Sequence, residues 1–256
     1  MVSPLDKEGG DAALWKGRNA HFPRAFELHQ SAPSGERFTY SSGYAFADPA
    51  SAPYISQYLA ERGSGGWASE AIAPPRSEPP VSTNLFFANE FQGFSEDLCT
   101  AWVRNNSVAP LSEDAIAHYT NIYRRENCAE PPAYEALTTA EPANRTPEDY
   151  TQLYTRGFAE DGTHSIFEAN DKLHADAPEL ADKFELLLYE HTGGELRFVC
   201  YLPDGTPSPL ACSAGTSGAS KDNAISADGE RIFWTAYSGL CISIEFLPIS
   251  QAETEL

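Results

Sequence analysis

The sequence predicts an all-β fold that repeats one unit of four short antiparallel strands. The first observation is the distribution of turn-forming residues. The chain has 19 prolines and 18 glycines that recur between short apolar runs, which favours many short strands over a few long helices. The second is a period, because similar segments begin at Ser34, Asp97, Asp161 and Asp228, with spacings of 63, 64 and 67 residues. A fixed internal period indicates repeated supersecondary units, here about three and a half of them.

Residues 34–256 are therefore the expected repeat region, and residues 1–33 are an expected N-terminal extension. The first copy reads SGERFTYS and the last reads DGERIFWT, and the two align without a gap. The Asp-Gly pair suits a tight hairpin turn, because Gly accepts positive φ and Asp bonds its own backbone. The aromatic and β-branched run after the turn fits a buried strand, so Trp102 and Trp234 are expected in the core.

A second element keeps the same period and is expected to be the third strand of each unit. It reads YLAER around Leu59, IYRRE around Tyr123 and LYEH around Tyr189, with spacings of 64 and 66 residues. Both tyrosines are expected in the core or between blades. After a turn, a fourth run completes each unit, at residues 67–72, 134–137 and 196–202.

Four antiparallel strands per repeated unit are the pattern of a β-propeller blade, so we predict a β-propeller of four-stranded blades. The segment Asp171–Phe184 lies between two strands of one unit, and its spaced apolar residues predict a short helix inserted in a loop. Near the end of the chain, Leu240, Ile242, Ile244 and Phe246 occupy alternate positions, which predicts a strand.

The residues around the turns resemble a known repeat. Phe94-Ser-Glu-Asp, Phe158-Ala-Glu-Asp-Gly and Ile225-Ser-Ala-Asp-Gly are similar to the Ser-Pro-Asp-Gly signature of Tol-B-type, WD-like propeller repeats. The proline of the signature is absent, Leu98 replaces one turn glycine, and Ser34 replaces the turn aspartate of the first unit.

The opening residues 1–11 also resemble a segment found inside larger propeller proteins of soil actinobacteria. The resemblance implies a longer parent protein that is exported or sits in the cell envelope. On this interpretation the chain is a truncated piece, which lacks the signal peptide and the later blades of the parent and has a truncated or altered C-terminus.

The charge balance excludes two classes of partner. The chain has 37 acidic residues against 17 basic ones, a net charge of −20. Such a charge repels phosphate backbones and anionic lipid headgroups, so neither nucleic acid nor a membrane is expected as a partner. No apolar run approaches the roughly 18–20 residues that are needed to span a bilayer.

The five cysteines show no CxxC pair and no zinc-type spacing. Cys200 and Cys212 bracket a turn rich in proline and glycine, and a disulfide between them would close a small loop. Spacing alone leaves the connectivity open, and the odd count leaves at least one thiol unpaired.

No strong catalytic motif is present, because the sequence lacks a Gly-x-Ser-x-Gly elbow, a His-Glu-x-x-His pair and a phosphate-binding glycine loop. The candidate catalytic residues are His164 and His174. His164 stands where Arg37 and Arg231 stand in sister units, which indicates a solvated strand start.

Four residues are candidate metal ligands: Glu168, Asp171, His174 and Asp176. Carboxylates and an imidazole at such close spacing can ligate a divalent cation, which would be the one expected cofactor. The alternative interpretation of the same residues is an acidic loop that faces solvent.

Two functions are open at this point, beside the plainer possibility that the chain is a fragment with no function beyond folding. The first is a non-catalytic binding or scaffold propeller that engages a ligand through its loops. The alternative is a metal-dependent hydrolase, which would cleave an ester, lactone or phosphotriester with a metal-activated water at the propeller channel. The fold alone does not choose between them, since propellers host many activities.

The chain is also expected to associate with itself. Three and a half blades would leave unpaired backbone groups and apolar side chains on the flanks of the first and last sheets. Two copies that pair along these flanks would complete a closed or nearly closed ring.

Overall fold

The computed structural model describes residues 29–42, 44–50, 56–75, 90–105, 109–147, 149, 151–181, 183–214, 224–238 and 241–248, the last ten strand residues (237, 238 and 241–248) as backbone only. Within these ranges the chain consists of strands and turns and contains no helix, so no helix there could cross a membrane. The strands are β1 (Gln30–Ser31), β2 (Arg37–Ser42), β3 (Ser56–Gly63), β4 (Gly66–Ala71), β5 (Phe91–Phe94), β6 (Thr100–Asn105), β7 (Asn121–Glu126), β8 (Ala133–Ala136), β9 (Leu153–Phe158), β10 (His164–Ala169), β11 (Leu187–Thr192), β12 (Glu195–Phe198), β13 (Cys212–Ser213), β14 (Arg231–Ser238) and β15 (Cys241–Pro248).

The strands form sheets in which chain neighbours pair antiparallel. Three sheets have four strands, β1–β4 (blade 1), β5–β8 (blade 2) and β9–β12 (blade 3), and β13–β15 form a three-stranded sheet (blade 4). This is the meander of a propeller blade, so the predicted all-β fold of repeated blades is confirmed. Strand β1 pairs with β2 and lies inside the predicted N-terminal extension, residues 1–33, whose first 28 residues lie outside the described part.

The chain divides into two compact units. The first comprises Met1–Glu113 and Tyr123–Glu135, and the second comprises Asp114–Ile122 and Ala136–Leu256. Blades 1 and 2 belong to the first unit apart from the ends of β7 and β8, and blades 3 and 4 belong to the second.

Large aromatic side chains fill the centres of blades 1 and 3 in a shared register. In blade 3, Phe167 of β10 lies opposite Tyr189 of β11, which lies opposite Phe198 of β12. In blade 1, Tyr40 and Tyr58 hold the same positions and stack with their ring centroids 5.1 Å apart. All five are buried, and such pairs stabilise a sheet through apolar burial and ring contacts.

The predicted core residues are buried as expected. Trp102 is fully enclosed in the first unit and Trp234 is buried in the second. In the first unit a cluster from blades 1 and 2 includes Leu59, Phe91 and Leu98. The structural equivalent of Tyr123 and Tyr189 is Tyr58 rather than Leu59, a shift of one residue that the period alone did not resolve.

The repeated aspartates cap the turn between the first and second strands. The Asp161 carboxylate accepts hydrogen bonds from Thr163 N (2.9 Å) and Thr163 Oγ1 (2.7 Å). The Asp228 carboxylate accepts bonds from Ser226 Oγ (2.5 Å) and Glu230 N (3.1 Å). These donors favour the ionised form and lower the pKa of both aspartates, as bonds from Cys99 N and Ser95 Oγ do for Asp97.

Leu98 occupies a turn position that otherwise carries glycine. Its φ is 63°, close to the φ of 70° at Gly162 and 76° at Gly229 in the sister turns. A left-handed backbone is unfavourable for a leucine, but this side chain is fully buried in the core of the first unit. The burial of the isobutyl group offsets the backbone cost, which explains how the repeat tolerates the substitution.

Two expectations about individual segments have different outcomes. The segment Asp171–Phe184 is a succession of turns in its described residues, so the predicted helix is wrong. The predicted strand near the chain end is confirmed, since β15 pairs with β14 over eight residues. The first strand of blade 4 is short, with β13 paired to Thr235 and Ala236 and a separate bridge between Ile225 and Ile232.

Replacing Asp161 with Asn is expected to lower the free energy of unfolding at about pH 7, and the deficit should shrink toward about pH 3. The folded-state pKa of Asp161 is lowered, so its charge stabilises the fold above the ordinary aspartate pKa. That stabilisation is lost as the pH falls through the folded value. Denaturant unfolding at both pH values measures the difference, and an equal deficit at both would contradict the role assigned to the charge.

Candidate functional site

Each of blades 1, 2 and 3 has a short-turn end and a long-loop end. In an antiparallel meander the first-to-second and third-to-fourth connections share one end, while the second-to-third connection and the exit share the other. In blade 3 the short turns are residues 159–163 and 193–194, and the long loops are residues 170–186 and 199–211. Because function tends to reside on loops that a rigid scaffold positions, these two loops, the loop end of blade 3, are the candidate site.

Tyr189 fixes the first of these loops. Its buried hydroxyl donates a hydrogen bond to Asp171 O (2.6 Å) and accepts one from Leu173 N (3.0 Å). Burial raises the pKa of Tyr189, so the phenol stays neutral and keeps its proton for the donated bond. The two bonds satisfy backbone groups of the loop that would otherwise be buried without partners.

The same device recurs in the first unit. In blade 1, Tyr58 donates its hydroxyl to Tyr44 O (3.1 Å) and accepts a bond from Phe46 N (2.9 Å). In blade 2, Tyr123 accepts a bond from Leu111 N (3.2 Å). The periodic tyrosines were expected only as packing residues, so their second role, holding the loop between the second and third strands, was missed.

Asp171 lies inside the protein and does not face solvent. Its carboxylate accepts a bidentate pair of bonds from the Arg145 guanidinium, one of them from Nη2 at 2.8 Å. Both side chains are buried, with Asp171 only 2% exposed. Arg145 also lies over the Tyr119 ring, 5.0 Å from its centroid. The pair therefore ties the segment that precedes blade 3 to loop 170–186, and the predicted solvated setting of Asp171 is wrong.

Glu168 is equally enclosed, on strand β10 and 0% exposed. One carboxylate oxygen accepts a bond from Arg156 Nε (2.7 Å) and the other from Ala214 N (2.6 Å). Both oxygens thus serve contacts within the second unit, and removal of either partner would leave a buried charge uncompensated.

His164 begins strand β10, as the repeat predicted, but it is half-buried and paired. Its Nδ1 lies 2.6 Å from Glu190 Oε1. The imidazole also packs on Gly229, where an added Cβ would lie 2.5 Å from His164 Cδ2. The strand start is therefore as predicted, but the side chain is only 25% exposed and takes part in the contact between blades 3 and 4.

His174 and Asp176 are the candidates that reach the surface. Tyr201, on loop 199–211, donates its hydroxyl to Asp176 Oδ2 (2.6 Å), which joins the two loops. Burial, followed by this bond to the carboxylate, raises the pKa of Tyr201 to about 12. His174 Nδ1 accepts a bond from Asp176 N (3.2 Å) and lies 3.8 Å from Asp176 Oδ2.

Two disulfides reinforce the turns and loops. Cys200–Cys212 closes loop 199–211, as the sequence suggested, and Cys212 N donates to Leu186 O (2.9 Å) at the end of loop 170–186. Cys99–Cys128 joins two turns of blade 2 and was not anticipated. The sequence feature that could have indicated this disulfide is that Cys99 lies just before strand β6 and Cys128 lies just after strand β7. The two cysteines come together only when these strands pair in the folded blade.

The structure thus distributes the five candidates over separate contacts. Glu168 pairs with Arg156, Asp171 with Arg145, and His164 with Glu190, while His174 and Asp176 contact each other. Among the described residues, no group of three or more His, Cys, Asp or Glu side chains is arranged to hold a metal ion.

Two solved structures are similar to this chain. TolB from Acinetobacter baumannii is 14% identical, over 88% of this chain and 41% of that one, with a TM-score of 0.40. A structure from an analysis of two prolyl endopeptidases is 12% identical, over 89% of this chain and 28% of that one, with a TM-score of 0.45. The chain spans less than half the length of either. No family model matches the sequence, and neither does a curated protein.

The described sheets are repeated antiparallel meanders of the kind that form β-propeller blades. Two of their turns share one bond, which Ser95 Oγ donates to the Asp97 carboxylate and Ser226 Oγ donates to the Asp228 carboxylate. The actinobacterial origin stays a prediction.

The Tyr189→Phe substitution is expected to lower the free energy of unfolding by about 1–3 kcal/mol, because it leaves a buried loop amide and carbonyl without their partner. Tyr44→Phe is the matched control, since that side chain is 62% exposed, and it should change stability little. Denaturant unfolding of the two variants measures this. Equal stability of Tyr189→Phe and the wild type would contradict the anchoring role.

Proposed function

We propose that the protein is a non-catalytic binding propeller that engages its partner through the loop end of blade 3. The observation that carries this proposal is the way the two loops are held. Tyr189 fixes loop 170–186 to the blade, the Cys200–Cys212 disulfide closes loop 199–211, and Tyr201 joins the loops through Asp176. Loops that are ordered before binding lose little entropy on binding, so such a surface is suited to recognition.

The placement of the charged candidates supports binding over catalysis. Glu168 and Asp171 are enclosed and paired with arginines, so neither is placed to contact a substrate. His164 is held against Glu190 and Gly229. A general base must lie within hydrogen-bond reach of the proton it removes, and these three groups serve interior contacts instead.

A metal-dependent hydrolase is the second candidate, and one observation favours it. His174 and Asp176 place a half-exposed imidazole beside a carboxylate on the candidate surface. An imidazole and a carboxylate are ligands that zinc and related cations accept, and a cation held there would activate a water for attack on an ester, lactone or phosphotriester.

We further propose that the protein works in an oxidising compartment, as an exported or cell-envelope protein. The two disulfides, Cys99–Cys128 and Cys200–Cys212, support this, because disulfides persist in such compartments and are rare where thiols are kept reduced.

A hydrolysis panel separates the two candidate functions. The purified protein is expected to show no turnover of activated esters, lactones or phosphotriesters, with or without added zinc, calcium or a chelator, because its buried carboxylates have no access to substrate. Turnover that is lost both on chelation and in His174→Ala would contradict the binding proposal. His118→Asn is the control for that variant, since asparagine tolerates the left-handed backbone there (φ 68°) and the residue is exposed.

A further inference from the structure

We propose that the partner at the loop end of blade 3 is a basic, extended polypeptide segment that packs an apolar side chain against Phe184 and Leu210. This inference rests on the proposed function, because it names the class of partner for the same surface. Three features carry it: exposed apolar side chains, an excess of negative charge and the fixed geometry of the loops.

The apolar feature is a pair of large side chains left in solvent. Phe184 is 59% exposed and Leu210 is 39% exposed, one on each of the two loops. The hydrogen bond from Cys212 N to Leu186 O joins the loops two residues after each of these side chains. Single exposed apolar residues are ordinary, but two on adjoining loops, here called the apolar patch, offer apolar contacts to one partner segment.

The negative charge of this surface favours a positively charged partner. Lys172 offsets Glu179 (2.5 Å), but Asp176 and Asp204 are bonded by the neutral groups of Tyr201 and Thr206. Bonds from Thr206 Oγ1 and N lower the pKa of Asp204, so that carboxylate stays ionised at neutral pH. Lys183 and Glu185 add one charge of each sign, and Glu185 accepts a bond from Ala181 N, so Asp176 and Asp204 remain as the excess that attracts cationic side chains of a partner.

The aromatic ring provides a further contact for a cation. Lys183 Nζ lies 5.2 Å from the centroid of the Phe184 ring, a cation–π contact within loop 170–186. A partner lysine or arginine would have to displace Lys183 from the ring to make the same contact. A second copy of this chain is disfavoured at this surface, because each copy carries a net charge of −20.

An extended segment suits this distribution better than a compact ligand. The apolar side chains and the carboxylates are spread over both loops, with Asp176 and Phe184 on one and Asp204 and Leu210 on the other. A chain that alternates cationic and apolar side chains can contact the carboxylates and the patch at successive positions. The expected recognition is therefore of charge and apolar pattern along a strand-like peptide.

Fluorescence anisotropy with three labelled peptides tests the proposal at physiological ionic strength. The probes are repeats of Lys-Gly-Leu-Ser, Lys-Gly-Ser-Ser and Glu-Gly-Leu-Ser, so that charge and apolar content vary separately. The wild type is expected to bind the first at least about tenfold more tightly than either of the others, because only the first offers both contacts.

Two pairs of variants locate the binding. Phe184→Ser with Leu210→Ser should weaken binding of the Lys-Gly-Leu-Ser peptide about tenfold. Tyr44→Ser with Phe233→Ser is the matched control, because those side chains are 62% and 40% exposed elsewhere, and it should leave the affinity unchanged. All four positions are exposed, and thermal unfolding verifies that both double variants stay folded.

The contribution of the surface charge is tested by substituting the aspartate in two turns of identical sequence. Asp204-Gly-Thr and Asp161-Gly-Thr both use the aspartate to accept bonds from the threonine, but they lie at opposite ends of blade 3. Asp204→Asn should weaken binding about threefold, and Asp161→Asn should not change it.

The proposal is overturned if the Lys-Gly-Leu-Ser peptide fails to bind, if the acidic peptide binds equally well, or if Phe184→Ser with Leu210→Ser leaves the affinity unchanged. Each of these results is separate from the hydrolysis panel. A protein that hydrolyses no substrate but binds none of the peptides would lose the partner assignment and keep the non-catalytic function.

Discussion

One buried tyrosine hydroxyl in the third strand of a blade is the constraint on which the candidate surface depends. A long loop that packs against a sheet brings backbone amides and carbonyls out of water, and each needs a partner. Tyr189 supplies both kinds of partner at once, to Leu173 N and Asp171 O. Without this hydroxyl, the backbone groups of loop 170–186 would have to be exposed to solvent or remain buried without hydrogen-bond partners. The side-chain contacts of Asp176 and Arg145 would then lose their fixed positions.

The two ends of blade 3 differ in what restricts their sequence. At the short-turn end, Asp161 and Asp228 repeat one set of turn bonds, so the sequence there is restricted by local geometry. At the loop end the anchoring tyrosine is repeated but the loop it holds is not. Tyr58 reaches Phe46 twelve residues earlier, whereas Tyr189 reaches Leu173 sixteen residues earlier. A common anchor with loops of different length permits a particular surface on a common scaffold.

Sequence reasoning recovered what is local or periodic. The blade, its turns, the buried Trp102 and Trp234, and the short disulfide loop follow from patterns a few residues long repeated at a fixed spacing. The candidate site was harder, because its contacts join distant parts of the chain. Asp171 and its partner Arg145 are 26 residues apart in sequence, and Cys99 and Cys128 are 29 apart. No local sequence pattern therefore predicts that these charges and thiols are paired.

Hydrogen exchange at the amide of Leu173 tests the central claim most directly, since that amide lies in a loop and its protection depends on the Tyr189 hydroxyl. The account predicts that it exchanges as slowly as the amides of strand β11, because it opens only when the blade opens. Exchange at the rate of an unprotected loop amide would contradict the account, because the loop end of blade 3 would then not be held in one arrangement before a partner arrives.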